Sequence, residues 1–307
     1  MGAWCGTKGS RGIMGGIMVD LIVIAVLALP YILFVSIPPF ERIVWRDDRS
    51  LMYPFTEHEI IPTWAVPFFA FLLPMVLLSG WLGLQRFRNR RLLVAYVGLA
   101  LSLLISTQIT SLIKPLAGRP RPDFLARCNP DPENIKELVC RGNPKLIADG
   151  RRSFPSGHTS ASFAGLAYAG FFLAGQMAAF DGKGRVYRLL VSLVPFLVAS
   201  YVGITRIMDY RHHWQDVLAG ALLGTGAAYL SYRLYFPSVS DRESYLLLEE
   251  KHGCTGGGDS DGDGGGGTTR KDPTTAGQQH DSAPDAGPSS DHYYSPDAEE
   301  ARGLEAV

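Results

Sequence analysis

Between Gly16 and Phe236 the chain carries six apolar runs, at about 16–37, 63–84, 92–113, 159–179, 188–205 and 217–236. Each is close to the ~20 residues that cross a bilayer core as an α-helix. Lipid offers no water to backbone N–H and C=O groups, so only helices and closed barrels span it. The runs therefore predict an all-α, polytopic membrane protein, a six-transmembrane-helix bundle. A water-soluble domain burying six such helices would need more polar surface than this chain supplies.

The runs differ in ways that anticipate packing. The first holds one charge, Asp20, and reads as a transmembrane helix rather than a cleaved leader. The second contains Pro67 and Pro74, tolerated where neighbouring helices satisfy the freed carbonyls. The fourth is rich in small residues, Ala161, Ser162, Ala164, Gly165, Ala167 and Gly170, which favours helix–helix contact over lipid contact. The fifth is the shortest as read from the sequence.

Charge divides the chain further. From Asp241 onward there are 15 acidic and 5 basic residues, leaving 14 acidic and 24 basic ahead of it. Overall neutrality is thus a cancellation. Three parts are expected: a short cytosolic N-terminus at 1–15, a membrane domain at 16–240, and a disordered, acidic Gly/Ser/Pro-rich cytosolic tail at 241–307. Basic residues in short loops mark the cytosolic side. The segment Gln85-Arg86-Phe87-Arg88-Asn89-Arg90-Arg91, the trio Lys183, Arg185 and Arg188, and Lys8 with Arg11 all fall on one side of a six-span chain. Both termini are then cytosolic.

Loops 38–62, 114–158 and 206–216 fall on the opposite, lumenal or extracellular side, and two of them are also rich in arginine. At the end of run three the chain reads Lys114-Pro115-Leu116-Ala117-Gly118-Arg119-Pro120-Arg121-Pro122. Before run four it reads Arg151-Arg152-Ser153-Phe154-Pro155-Ser156-Gly157-His158, and between runs five and six Thr205-Arg206-Ile207-Met208-Asp209-Tyr210-Arg211-His212-His213-Trp214-Gln215-Asp216. Alternation of spans alone brings these three clusters to one membrane face.

Isolated basic residues at span ends are often interfacial anchors. Anchoring does not account for fixed cations together with separated histidines and a carboxylate four residues after one of them. Lys114, Arg121 and Arg206 have the charge and donor geometry to grip phosphoryl oxygens. Ser156 and Gly157 stand at the expected N-terminus of a helix, where free N–H groups favour an anion. His158 would sit beside the same anion as a general acid. Asp216 lies four residues after His212 and three after His213. If the last helix starts early, one of these imidazoles shares its face and is oriented by it.

These clusters resemble the tripartite signature of the type 2 phosphatidic acid phosphatase superfamily. Its Lys-x6-Arg-Pro motif is met by Lys114, Arg121 and Pro122, and its Pro-Ser-Gly-His motif by Pro155 through His158. Its Ser-Arg-x5-His-x3-Asp motif is met by Arg206, His212 and Asp216, with Thr205 in place of serine. The resemblance covers about residues 15–236, and the stretches 149–154 and 235–238 look similar to fungal phosphatases of diacylglycerol pyrophosphate. It implies a lipid phosphate phosphatase with His212 as nucleophile, Asp216 as its orienter and His158 as acid and then base. Lys114, Arg121, Ser156, Gly157 and Arg206 would bind the phosphate. It implies no metal or other cofactor, magnesium included. The partners implied are the membrane and a phospholipid presented from it, with no nucleic acid and no stated oligomeric form. The membrane expected is vacuolar, endoplasmic reticulum or plasma membrane. Rival readings are an isoprenoid or sphingoid phosphate phosphatase, a phosphotransferase of the same architecture, and a phosphate-binding transporter or scaffold.

Other residues carry less. Cys128 and Cys140 share one loop and pair if it faces an oxidising compartment; two free thiols is the alternative. Cys5 and Cys254 suggest little. Asp209, Arg211 and His213 are expected to face solvent or start a helix, Arg119 and Arg152 to add field or face water, and His58 has no partner. Trp4, Trp45, Trp64 and Trp214 suit interfacial belts or loops.

Overall fold

The computed structural model describes residues 10–84, 89–133, 138–180, 182 and 185–248. Trp4, Cys5, Lys8, Arg86, Arg88, Lys183 and the tail from residue 249, Cys254 included, lie outside the described residues. Helices α1 (Ser10–Ala28) and α2 (Pro30–Ser36) run end to end through the first apolar run. A π-helical turn, Phe68–Leu72, leads into α3 (Leu73–Leu84), and α4 (Asn89–Ala117) follows. Two short helices, α5 (Phe124–Cys128) and α6 (Pro144–Gly150), lie in the long loop after α4. The chain then forms α7 (Gly157–Gln176), α8 (Val186–Met208) and α9 (Trp214–Tyr235).

Among the described residues, four segments are long and apolar enough to cross a membrane: Gly16–Ser36, Thr63–Leu84, Arg90–Ala117 and Val186–Met208. The protein is thus an all-α, polytopic membrane protein. The fifth run, read as the shortest, belongs to a helix of 23 residues, because polar Thr205 and Arg206 continue it beyond the apolar stretch. Much of the apolar surface faces outward: Met18, Val19, Ile22, Val26, Leu190, Val194 and Leu197 are exposed. Such a continuous apolar exterior is stable only against lipid.

Helix α7 is the axis of the bundle, packing on α3, α4, α8 and α9. Its small residues let neighbours approach. Pro74 has no N–H to give the carbonyl four residues earlier, Ala70. That carbonyl oxygen abuts Gly165 of α7, where a Cβ would collide with it. Across α7 the Ser160 carbonyl oxygen presses on Gly224 of α9 in the same way. Polar side chains secure a third neighbour, α4. Ser102 Oγ of α4 donates to the Ala164 carbonyl (2.8 Å), Ser106 Oγ to that of Ser160 (3.1 Å), and Thr110 Oγ1 pairs with Ser160 Oγ (2.9 Å).

Two apolar cores result. The larger sits toward the end of the bundle away from the sequence motifs, with Leu78, Leu82, Val94, Tyr168, Phe172, Tyr232 and Phe236. Residues 241–248, counted with the tail from sequence, pack onto it: Leu247 is buried there and Ser244 Oγ donates to the Gly175 carbonyl at 2.9 Å. The smaller core, Leu51, Phe124, Leu125 and Cys128, lies under the motif-bearing loops. There Cys128 and Cys140 form a disulfide.

Candidate active site

Three buried stripes deliver the polar residues. On α4 the positions 102, 106 and 110 facing α7 are followed at the same interval by Lys114. On α8 the residues Ser192, Pro195, Ala199 and Val202 are buried, and Arg206 ends that stripe, 1% exposed. On α9 the buried Gly220, Gly224 and Ala228 continue backward to Asp216, which is fully buried. Helical periodicity thus aims a cation, a second cation and a carboxylate into the same end of the bundle.

Backbone pairing joins the loops. The Ser153 N–H donates to the Arg119 carbonyl (3.0 Å) and the Arg121 N–H to that of Gly150 (2.8 Å), tying the first cluster to the second. The Ser156 N–H donates to the Asp216 carbonyl (3.0 Å), tying the second to the third. Ser156 is the N-cap of α7, Gly157 its first residue and His158 its second. Lys114 crosses Gly157: a Cβ there would lie 3.4 Å from Lys114 Cε. Lys114 Nζ itself donates to the Arg152 carbonyl (3.0 Å).

His212 is buried, 3% exposed, with Nδ1 3.8 Å from Asp216 Oδ2. The Ser153 hydroxyl lies between them, donating to Oδ2 at 2.6 Å and standing 3.5 Å from Nδ1. Burial holds the His212 imidazole well below its usual pKa, Asp216 pulls it back up, and the charges of Arg121 and Lys114 lower it again. The Ile61 backbone favours the charged form of His158, whose Nε2 is buried with no partner among the described residues. The charges of Arg206, Arg121 and Lys114 all bear on it. Arg121 is turned toward α6, donating from Nε to the Asp149 carbonyl (3.1 Å) and from Nη2 to Asp149 Oδ1 (2.9 Å). Burial pushes the Arg121 pKa down, and Asp149 opposes that shift.

Two histidines and three cations in the motif order and at one end of a helical bundle are what the family signature demands. A model of the PAP2 superfamily matches residues 95–240, which hold all three clusters. The chain belongs to the PAP2 superfamily. It is 40% identical over 231 residues to lipid phosphate phosphatase 1 of Arabidopsis thaliana, covering 74% of this chain and 70% of that protein. It is 39% identical over 238 residues to the "Probable diacylglycerol pyrophosphate phosphatase 1" of Schizosaccharomyces pombe, covering 74% and 84%. To diacylglycerol pyrophosphate phosphatase 1 of Saccharomyces cerevisiae it is 33% identical over 213 residues, covering 66% and 74%.

Within this PAP2 site the departure at Thr205 keeps a hydroxyl, which donates to the Val202 carbonyl (2.7 Å) and lies 3.4 Å from Arg206 Nε. Among the described residues no group of His, Cys, Asp or Glu side chains is arranged to hold a metal ion.

Several expectations need correction. Helix α9 does not start early enough to hold His212 and Asp216 on one face. It starts at Trp214, because His213 caps it and donates its N–H to Asp216 Oδ2 (3.0 Å). His212 reaches Asp216 from the preceding loop instead. Asp209 and Arg211 do not face solvent; they are 3% and 6% exposed. Asp209 Oδ2 binds Arg206 Nη2 at 2.7 Å, an i, i+3 pairing of opposite charges that the sequence did offer as a signal. Arg119 does more than add field or face water: a quarter exposed, it binds Asp216 Oδ1 through Nη1 at 2.7 Å. Arg152 caps the C-terminal end of α2 through the Val35 and Ile37 carbonyls. Glu59 was missed altogether: Oε2 binds Arg206 Nη1 at 2.8 Å and Oε1 binds Arg211 Nη2 at 3.0 Å. Its partners are 147 and 152 residues away, beyond any local pattern.

Proposed function

We propose that the protein is a lipid phosphate phosphatase acting on phosphatidate and diacylglycerol pyrophosphate through a phosphohistidine, without a metal ion. The observation that carries this reading is the pair of imidazoles, His212 and His158, both under the charge of Lys114 and Arg121. Neutral His212, with Nδ1 toward Ser153 and Asp216, offers Nε2 to phosphorus. As the N–P bond forms and the P–O bond to the lipid breaks, His158 gives that oxygen a proton. The incoming phosphate is negative, so it favours the imidazolium of His158 against the neighbouring cations. His158 then takes a proton from water, whose oxygen displaces His212 and releases inorganic phosphate. Two easier displacements replace one hard one. Lys114, Arg121 and Arg206 hold the equatorial oxygens, with Ser156 and Gly157 at the start of α7, supplying the electrostatic stabilisation a metal supplies elsewhere.

For this role the bundle would use six spans, α7 at about 159–179 and α9 at about 217–236 crossing with the four more apolar segments. The Cys128–Cys140 disulfide supports a motif-bearing end in an oxidising compartment, lumenal or extracellular. Arg90, Arg91, Arg185 and Arg188 support a cytosolic opposite end, with both termini there. The apolar exterior and the similarity to lipid and diacylglycerol pyrophosphate phosphatases support a lipid substrate. Purified protein in detergent micelles with EDTA should release phosphate from both lipids and much less from water-soluble sugar phosphates. No release in EDTA, or equal turnover of sugar phosphates, would overturn the reading.

A further inference from the structure

Outside the three motifs, one stretch of the first outer loop touches the site more often than any motif residue requires. The Thr56 carbonyl accepts from Arg211 Nη2 (2.7 Å), and Thr56 Oγ1 donates to the Asp209 carbonyl (3.0 Å). The Ile60 N–H donates to Asp209 Oδ2 (3.1 Å), and the Ile61 backbone favours the charged form of His158. Between them Glu59 bridges Arg206 and Arg211 with one carboxylate oxygen each, at 2.8 and 3.0 Å. Phe55 completes the stretch by lying under the Arg211 guanidinium, 4.4 Å from its ring centre. These links end on Arg206, on its partner Asp209, or on Arg211, which Glu59 ties to Arg206.

We infer that Glu59 is a positioning residue for catalysis, fixing the plane of the Arg206 guanidinium, and that Thr56–Ile61 is the brace through which it acts. This rests on the phosphatase reading above. Arg206 is nearly fully buried, so its fork must be held by fixed partners before phosphate arrives. Asp209 holds one terminal nitrogen and Glu59 the other. Without Glu59 the guanidinium would keep only Asp209 at one terminal nitrogen and the long 3.4 Å contact of Nε with Thr205 Oγ1, leaving the other terminal nitrogen unheld. Glu59 cannot touch phosphate favourably, since both are negative, so its contribution must pass through Arg206. A carboxylate held beside the site in this way also weakens static phosphate binding. Its benefit is confined to the transition state, where geometry decides the rate.

That combination has a kinetic signature. Glu59→Gln keeps the shape but removes the charge and one acceptor, so kcat for phosphatidate should fall about 10²-fold, the cost of a small misplacement. KM should stay level or drop, because one more cation is left uncompensated. Glu59→Asp keeps the charge but is one methylene too short to bridge both arginines, and should lose about tenfold in kcat at unchanged KM. In an Arg206→Ala background the Glu59→Gln change should add less than about threefold, since the residue it positions is gone. Each protein is compared after elution as a single species in detergent. If Glu59→Gln does not yield such a species, the Glu59→Asp variant decides. Wild-type kcat in Glu59→Asp and Glu59→Gln would overturn the proposal, as would a loss expressed wholly in KM or fully additive with Arg206→Ala. An inactive wild type would instead overturn the phosphatase reading, and this proposal with it.

Discussion

The two ends of the bundle are held together by opposite means. At the end away from the motifs, Tyr168, Phe172, Tyr232 and Phe236 stack and interlock, with Phe172 and Phe236 edge to face at 5.5 Å. Among the polar links there, Tyr235 Oη donates to Asp20 Oδ2 at 2.9 Å and ties α9 to α1. At the motif end, by contrast, charges run in an unbroken line, buried for most of its length and half exposed at Asp149. Arg206 binds Glu59, Glu59 binds Arg211, Arg211 binds Asp123, Asp123 binds Arg127, Arg127 binds Asp149, and Asp149 binds Arg121. Both ends of this line are arginines assigned to the phosphate. Buried ion pairs are weak sources of stability but strong determinants of geometry once every partner is present. One end of the same helices is therefore built for cohesion, the other for orientation.

The sharpest way to separate them is to alter one residue in each. His158→Ala at the motif end should slow phosphate release from phosphatidate by about 10²–10⁴-fold while leaving thermal stability in detergent near wild type. Phosphoenzyme should still form from a substrate with a good leaving group, because attack by His212 needs no acid there. Phe172→Ala at the opposite end should do the reverse. It opens a cavity in a packed core and should cost about 3–5 kcal/mol of stability, with turnover per folded molecule unchanged. A stability loss in His158→Ala matching that in Phe172→Ala would erase the distinction between the two ends.

How much of each end was legible follows from the same contrast. The apolar end was written as hydropathy, and the small residues of α7 announced its close neighbours. The spacing of Lys114, Arg121, His158, Arg206, His212 and Asp216 placed all six at one end. What spacing did not show is which carboxylate each cation uses. Asp209 was within helical reach of Arg206 and was passed over. Asp123 and Glu59 come from loops whose approach depends on the disulfide-braced fold around α5 and α6. Ser153 was quoted as part of the second cluster, yet its place between His212 and Asp216 appears only when two loops meet. The start of α9 turned on the cap at His213, a detail of the kind sequence patterns misjudge by several residues.

A smaller effect tests the motif end through pH. His212 sits below its ordinary value of 6.5, with burial the leading cause. The imidazole therefore stays neutral and nucleophilic below pH 6.5. The acid limb of kcat/KM, corrected for ionisation of the substrate phosphate, should lie below that value. Stability also declines toward acid, but over a higher pH range. The unfolded chain takes up a proton on this histidine as pH falls through 6.5 and the folded one does not, so the contribution present at higher pH is lost on acidification. An acid limb at 6.5 that tracks His212 would place the imidazole in water rather than in the buried site.

The central claim is that His212, not the adjacent His213, attacks phosphorus. His213 caps α9 and is spoken for by Asp216 through its own backbone, whereas His212 is buried beneath Ser153 and between the cationic clusters. The direct measurement is rapid trapping of the phosphoenzyme from a labelled lipid substrate without acid, followed by peptide mapping of the label. The account predicts label on His212, none in His212→Ala, and a His213→Ala protein that keeps substantial activity. Label on His213, or near-normal turnover in His212→Ala, would contradict it.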